Sequence, residues 1–250
     1  MPSSEKVSFI PTTAGNHGSR ALWPQFNDSE AYWEAIEAFL APWLVSTSAS
    51  PTSLTLSLAD SDTLRFSLGS APGNHLLIQV SNDLQSWRPI SSLSLTENES
   101  SITFTDQFRA KNQRFYQAVK VAERAVADVI NVSVCSNENA YNFSVRVSSP
   151  DKGCDQYADW WEILREDGDL VYRRVLLHSH VSEQTFTRSG GTVNIGADEI
   201  VWIRAHTNNS GYGGQIYQGS VNTGFNPASQ SPMFAYRVGE EALLPDGCDF

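Results

Sequence analysis

Three histidines in the C-terminal half have residue types and a spacing suited to metal chemistry. His178 and His180 flank a serine, and His206 follows the apolar run "IVWIRA". Residues two apart on a strand point to the same side, so His178 and His180 would present their imidazoles together. Three neutral imidazoles with an open fourth position form a site for zinc or copper, which acidifies a bound water. The pattern predicts a metal site if the two carrying segments are neighbouring strands.

The same histidines also have a simpler interpretation. His178 and His180 share a strand face with Tyr172 and Arg174, whereas the opposite face is more apolar. That pattern favours a solvated or hydrogen-bonded structural role, or a polar recognition patch. The metal site and the structural role both remain open from the sequence.

His17 lies in the loop "TTAGNHG", between the apolar run "KVSFIP" and the aromatic-rich "AYWEAIEAFLAPWL". This run resembles the C-terminal end of an α/β-hydrolase, where the last strand, the triad histidine and the final helix follow in that order. The nucleophile of that family lies in a Gly-x-Ser-x-Gly turn, and this sequence has none. The resemblance implies that His17 is an orphan triad histidine in the tail of a longer esterase-like protein. No complete triad is expected in this chain.

Two segments combine glycines with aromatic side chains, "HTNNSGYGGQIYQGS" and "QYADWW". Glycine lets a ligand approach the backbone closely, and Tyr and Trp offer flat apolar faces with a polar edge. The candidate ligand-binding residues are Tyr157, Trp161, Tyr212 and Tyr217, with a carbohydrate or a protein as ligand. The alternative is a glycine-rich hairpin that covers core aromatic residues.

A long hairpin is predicted for "ADWWEILREDGDLVYRRVLLHSHV". Asp167-Gly168 suits the positive φ angles of a two-residue type I′ turn. The resulting register pairs Glu162 with Arg173 and Trp161 with Arg174. One opposite-charge pair and one cation–π pair support this register.

Short alternating runs separated by turn residues predict a mainly β fold with two β-sandwich domains, preceded by a short strand–loop–helix segment. The expected boundaries are 1–45 for that segment, 46–51 for a linker, and 52–122 and 126–250 for the sandwiches. The stretch "LIQVSNDLQSW…QRFYQAV" resembles a fibronectin-like module of secreted bacterial proteins, which implies core roles for Trp87, Phe104 and Tyr116. An immunoglobulin-like sandwich is expected for 126–250, with a jelly roll or small barrel as the alternative.

Residues 126–250 also resemble an uncharacterised family of exported bacterial proteins, through "ENAYNF", "YRRVLLHSHVSEQTFTRSGG" and "GYGG". This resemblance implies an extracellular domain whose signal peptide lies upstream of the present chain. It implies no mechanism.

The overall charge and the hydropathy exclude some classes of partner, and the cysteine count allows one disulfide. The net charge of −11 disfavours nucleic acid as a partner, and no apolar run approaches the roughly 20 residues that span a bilayer. An odd cysteine count allows one disulfide, and Cys154 with Cys248 is favoured because that bridge would hold the C-terminal tail. The alternative is three free thiols.

These observations predict a non-catalytic, exported fragment whose sandwiches bind a glycan or protein, or act as spacers to an adjacent hydrolase domain. One alternative is a zinc- or copper-dependent activity at the three histidines, and another is a structural or adhesive surface protein. No other cofactor is expected.

Overall fold

The computed structural model describes residues 31, 34, 53–59, 63–98, 100–107, 114–135, 140–231 and 233–249. The chain forms two compact units, Met1–Ala49 and Ser50–Phe250. The predicted strand, His17 loop and helix of residues 1–45 lie outside the described residues, apart from Ala31 and Glu34. All the strands described belong to the second unit.

Two antiparallel sheets form the N-terminal half of the second unit. Their strands are β1 Ser53–Leu58, β2 Thr63–Gly69, β3 His75–Ser81, β4 Arg88–Ser94, β5 Ser101–Gln107 and β6 Phe115–Val121. One sheet has the order β1-β2-β5 and the other β4-β3-β6. The runs that alternate between apolar and polar residues form these strands, because alternation gives a strand one apolar face.

Two further antiparallel sheets form the C-terminal half. Their strands are β7 Asp128–Cys135, β8 Tyr141–Ser148, β9 Ala158–Arg165, β10 Leu170–Val175, β11 Phe186–Val193, β12 Val201–Thr207, β13 Ile216–Ser220 and β14 Gly224–Ala228. The sheet orders are β11-β8-β7 and β10-β9-β12-β13-β14. The predicted mainly β fold is confirmed for the described residues. Among these residues, no helix has the length and apolar character needed to cross a bilayer.

A hydrophobic core lies between these two C-terminal sheets. On β8 the buried residues alternate with more exposed ones, so that Tyr141, Phe143 and Val145 face inward. They pack with Trp161 of β9 and Ile203 of β12, which are also fully enclosed. This face of the five-stranded sheet is therefore an ordinary sandwich interior.

The other face of the five-stranded sheet is also buried, at β9 and β12. Every residue of β12 is buried, as is every residue of β9 except the last. The cover comes from the N-terminal half and from residues 233–249, which include a 3-10 helix at Tyr236–Glu240. Strands buried on both faces have no solvent-facing side, so the polar side chains of β9 and β12 need partners within the protein.

The β9–β10 hairpin confirms the predicted register but not the predicted turn. Arg173 pairs with Glu162 and Arg174 with Trp161, as expected. A backbone hydrogen bond joins Arg165 to Asp169 across a loop of three residues, whereas the predicted turn has two residues, Asp167 and Gly168. Within this loop, Gly168 has a positive φ. A register shift between Leu170 and Tyr172 then restores the predicted pairing. A three-residue loop with a bulge thus replaces the type I′ turn.

Candidate functional site

The second face of the five-stranded sheet carries a row of charged side chains across three strands. Arg173 of β10 lies opposite Glu162 of β9, and Glu162 lies opposite Arg204 of β12. All three side chains are buried. Neighbouring rows on the same face place Trp160 opposite His206 and Leu164 opposite Trp202.

The Glu162 carboxylate is held between the two guanidinium groups. Arg173 donates from Nε and Nη2 to Oε2 at 2.9 and 2.7 Å. Arg204 donates from Nε to Oε1 at 2.8 Å, and its Nη2 lies 2.7 Å from the same oxygen. Burial alone would raise the pKa of Glu162, but the charges of Arg204 and Arg173 hold the pKa below its usual value.

The same guanidinium groups bind the C-terminal segment by its backbone. Arg173 donates to the carbonyl oxygens of Val238, Glu241 and Leu243 at 2.7, 2.8 and 3.1 Å. Arg204 donates to the carbonyl oxygen of Ala235 at 2.9 Å, and also to that of Phe234. The charged row therefore anchors the C-terminal segment.

Beside the charged row, Asp159 and His206 form a buried pair. His206 Nδ1 lies 2.6 Å from Asp159 Oδ1, and the imidazole stacks on Trp160 with ring centroids 3.7 Å apart. The carboxylate and the indole together fix the position and orientation of the imidazole. A carboxylate bound to Nδ1 favours the tautomer in which the neutral ring accepts hydrogen bonds at Nε2.

A cavity of about 560 Å³, named here the strap pocket, contains this pair. One wall comes from β9, β12 and the adjacent residues Tyr157 and Asn208. The opposite wall comes from the C-terminal strap, residues 241–249. The disulfide between Cys154 and Cys248 holds the strap in place, as the sequence predicts. The strap is held further by a hydrogen bond from the Asp249 backbone N–H to the carbonyl oxygen of Leu177 at 2.7 Å.

The glycine-rich segment predicted to bind a ligand instead joins the two halves of the unit. In this clasp loop, residues 211–215, Tyr212 exchanges backbone hydrogen bonds with Ile90 and Ser92 at 3.1 and 2.7 Å. Gln215 donates its N–H to Asp128 Oδ1 at 2.7 Å. A Cβ on Gly214 would overlap the carbonyl oxygen of Ala127. Glycine is thus required here for contact between backbones rather than for contact with a ligand.

The predicted ligand-binding aromatic residues have separate locations. Trp161 is completely buried in the sandwich core. Tyr212 is buried under Arg204, whose Cζ lies 3.6 Å from the ring centroid. Tyr217 is half-buried and donates its hydroxyl to the carbonyl oxygen of Ile130. Tyr157 alone of the four lines the strap pocket.

The three histidines predicted to bind a metal do not come together. His178 and His180 follow the end of β10 and are not on a strand, and β9 separates β10 from β12. Their rings are 4.5 Å apart, but His180 stacks on Phe186 whereas His206 stacks on Trp160. Within the described ranges, no group of three or more His, Cys, Asp or Glu side chains is placed to hold a metal.

Two residues of the buried polar site, Asp159 and Arg204, were not among the predicted site residues. Each interrupts a strongly apolar run, "ADWWEIL" and "EIVWIRAH" respectively. An ionisable residue inside such a run is a detectable sign of a buried polar contact, because an unpaired buried charge is very costly. His17, the predicted orphan triad histidine, lies outside the described residues.

Comparison with known proteins gives a partial match. No protein-family model matches the chain. A protein of Halomicrobium mukohataei described as a "Putative lipoprotein" is 38% identical over 105 residues. The matched region covers 42% of this chain and 52% of that protein, so the chain spans about half the length of the relative.

Proposed function

We propose that this chain is an exported, non-catalytic binding module that recognises a glycan or protein outside the cell. The observation that carries the proposal is the strap pocket. This cavity lies between β9 and β12 on one side and the disulfide-bonded strap on the other. Its volume lies within the roughly 300–1,000 Å³ of small-molecule sites. The charged residues beside it, Arg173 and Arg204, are engaged by Glu162 and by backbone carbonyls. They therefore support the pocket structurally.

Joining of the two halves supports a second role, as a rigid spacer. One hydrophobic cluster contains Phe66 and Ile90 of the N-terminal half together with Trp160 and Tyr212 of the C-terminal half. Tyr236 of the 3-10 helix belongs to the same cluster. A shared core of this kind resists hinge motion, so the pocket is held at a fixed position relative to the N-terminal half of the second unit.

Two observations support export. A disulfide persists in oxidising compartments and is uncommon in reducing ones, and Cys154 and Cys248 form one. The similarity to a protein described as a lipoprotein favours the same compartment. On the resemblance of residues 1–45 to a hydrolase terminus, we further propose that the module follows an α/β-hydrolase-like domain. The genomic sequence upstream of Met1 tests this proposal, because it should encode an in-frame Gly-x-Ser-x-Gly and a signal peptide.

The binding role can be tested with the full chain labelled at Cys135, which is an exposed free thiol. The labelled protein is applied to a glycan array and to envelopes isolated from the source organism. We expect the labelled protein to bind saturably to the glycan array or to the envelopes. Excess unlabelled protein should displace the bound labelled protein. Failure to bind either surface would overturn the proposed function.

A further inference from the structure

The strap pocket brings together four polar side chains that are each more than nine-tenths buried. Their exposed fractions are 4% for Tyr157, 4% for Asp159, 3% for Trp160 and 5% for His206. Buried polar side-chain atoms normally have at least one hydrogen-bond partner, from the protein or from an ordered water. Polar atoms without hydrogen-bond partners in these side chains would therefore indicate a binding site and not merely a packing defect.

Several polar atoms of this set have no partner among the described residues. His206 uses Nδ1 for Asp159 Oδ1, which leaves its Nε2 and Asp159 Oδ2 without a hydrogen bond. Trp160 Nε1 is likewise unpaired. The Tyr157 hydroxyl makes one long contact, 3.5 Å from the carbonyl oxygen of Gly247. Trp160 Nε1 is enclosed by the protein, whereas His206 Nε2 and Asp159 Oδ2 belong to residues that line the pocket, where a ligand can pair with them.

The other polar groups of the pocket are already engaged. Arg88 forms an ion pair with Glu240. Asn208 accepts a hydrogen bond from the Tyr157 backbone N–H through Oδ1 and donates to the Cys154 carbonyl oxygen through Nδ2. With Trp160 Nε1 enclosed by the protein, the polar groups left to pair with a ligand include those of His206, Asp159 and Tyr157.

We infer that the strap pocket binds one ring of a neutral carbohydrate through neighbouring hydroxyl groups. This inference rests on the proposed binding function and assigns its ligand. A hydroxyl group donates to His206 Nε2 or to Asp159 Oδ2, and it also accepts from the Tyr157 hydroxyl. A ligand with several hydroxyls would satisfy these groups together, which a ligand with a single donor would not.

Charge and shape support the same ligand class. The Asp159 carboxylate disfavours an anionic ligand, and the cation of the pocket, Arg88, is paired with Glu240. Pro89, Leu244 and Pro245 add apolar surface to the lining. Apolar walls with a few convergent polar groups suit a sugar ring, whose C–H surface is apolar and whose edge carries hydroxyls.

The inference is tested by calorimetric titration of the full chain with single sugars. The probes are glucose, galactose, mannose and N-acetylglucosamine as neutral sugars, glucuronate as an anion and glucosamine as a cation. We expect a neutral sugar to bind with a Kd of about 1 mM or tighter, and Tyr157→Phe and Asp159→Asn each to weaken it about tenfold. Tyr217→Phe is the matched control, because it removes a hydroxyl outside the pocket, and it should bind as the wild type does.

Two outcomes would overturn the inference and leave the proposed function standing. In the first, envelope or array binding persists while no neutral sugar binds, or only a charged sugar does. In the second, a neutral sugar binds equally well to Tyr157→Phe and Asp159→Asn. If Asp159→Asn does not fold, Tyr157→Phe decides, because it deletes one hydroxyl and keeps the ring. Absence of envelope and array binding would instead overturn the proposed function itself.

Discussion

Glu162 is a fully buried carboxylate whose charge is matched by two arginines. The surplus positive charge is directed at backbone carbonyl oxygens of the C-terminal segment. Each partner thus depends on the others for its hydrogen bonds. Removing one member of such a buried set leaves an uncompensated charge, which costs far more than losing a surface ion pair.

Glu162→Gln should therefore lower the free energy of unfolding by about 3–5 kcal/mol. Urea denaturation at neutral pH measures the change. The matched control is Glu183→Gln, because Glu183 pairs with Arg188 through a side chain that is 56% exposed. An exposed pair contributes only about 0–1 kcal/mol, so equal losses in the two variants would contradict the buried role of Glu162.

His180 should make the stability depend on pH. Burial, the charge of Arg188 and the neighbouring His178 lower its pKa, and they outweigh the opposite effects of Asp151 and Glu183. The unfolded state then takes up the proton first as pH falls below about 6.5. We expect the free energy of unfolding to be greatest above that pH and to fall as pH drops through the lowered pKa of the folded state.

Urea denaturation at several pH values, on the wild type and on His180→Gln, tests this dependence. The variant should lose less stability than the wild type between neutral and mildly acidic pH. His178→Gln, at an exposed histidine nearby, removes one cause of the lowered pKa of His180, so it should reduce the pH dependence by less than His180→Gln does. An unchanged pH profile in His180→Gln would show that other groups cause the acid sensitivity.

At the scale of elements, β9 and β12 determine the position of the candidate site. Their direct pairing places the charged row and the Asp159–His206 pair on one buried face. The clasp loop then places the N-terminal half against that face, through Tyr212. The site therefore depends on long-range strand pairing and on a loop without side chains at three positions, Gly211, Gly213 and Gly214.

Gly214→Ala should disrupt the clasp. Its Cβ would overlap the Ala127 carbonyl oxygen, which belongs to backbone and cannot rotate away. We expect the free energy of unfolding to fall by about 1–3 kcal/mol, as in other overpacked sites. Thermal denaturation measures the effect.

The matched control is Gly196→Ala, at which the nearest atom to a new Cβ would be 3.7 Å away, an ordinary contact. It should change stability by no more than about 0.5 kcal/mol, as surface substitutions usually do. A loss in Gly214→Ala as small as that in Gly196→Ala would indicate that the clasp tolerates a side chain.

At the scale of the whole molecule, the C-terminal segment connects the N-terminal and C-terminal halves of the second unit. Tyr236 enters the core shared by the two halves, and Glu240 forms ion pairs with Arg88 and Arg114 of the N-terminal half. The strap then closes the pocket and ends at the disulfide. Loss of this segment would expose part of the second face of the five-stranded sheet.

Cys248→Ser should lower the free energy of unfolding by about 2–5 kcal/mol, because the bridge closes a long loop that is otherwise free in the unfolded chain. The two cysteines are 94 residues apart in sequence. Calorimetry with and without a reductant measures the loss. Cys135→Ser is the control, since Cys135 is free and exposed, and it should keep the melting temperature and reductant sensitivity of the wild type.

The sequence by itself determined the features that depend on local patterns. Alternating runs predicted the strands, because alternation is the direct consequence of a one-sided apolar face. The opposed charges of Glu162 and Arg173 predicted the register of the β9–β10 hairpin, although a bulge was needed to restore it. The cysteine pairing was also predicted correctly.

Only the tertiary structure decided which strands are neighbours and what covers them. β12 pairs with β9 and not with β10, so the predicted histidine cluster is not assembled and His206 meets Asp159 instead. Trp161 and Tyr212 resemble ligand contacts in sequence, yet both are enclosed by residues distant in the chain. Contacts between distant segments leave no periodic signal in a single sequence, because they depend on how sheets and the C-terminal segment pack together.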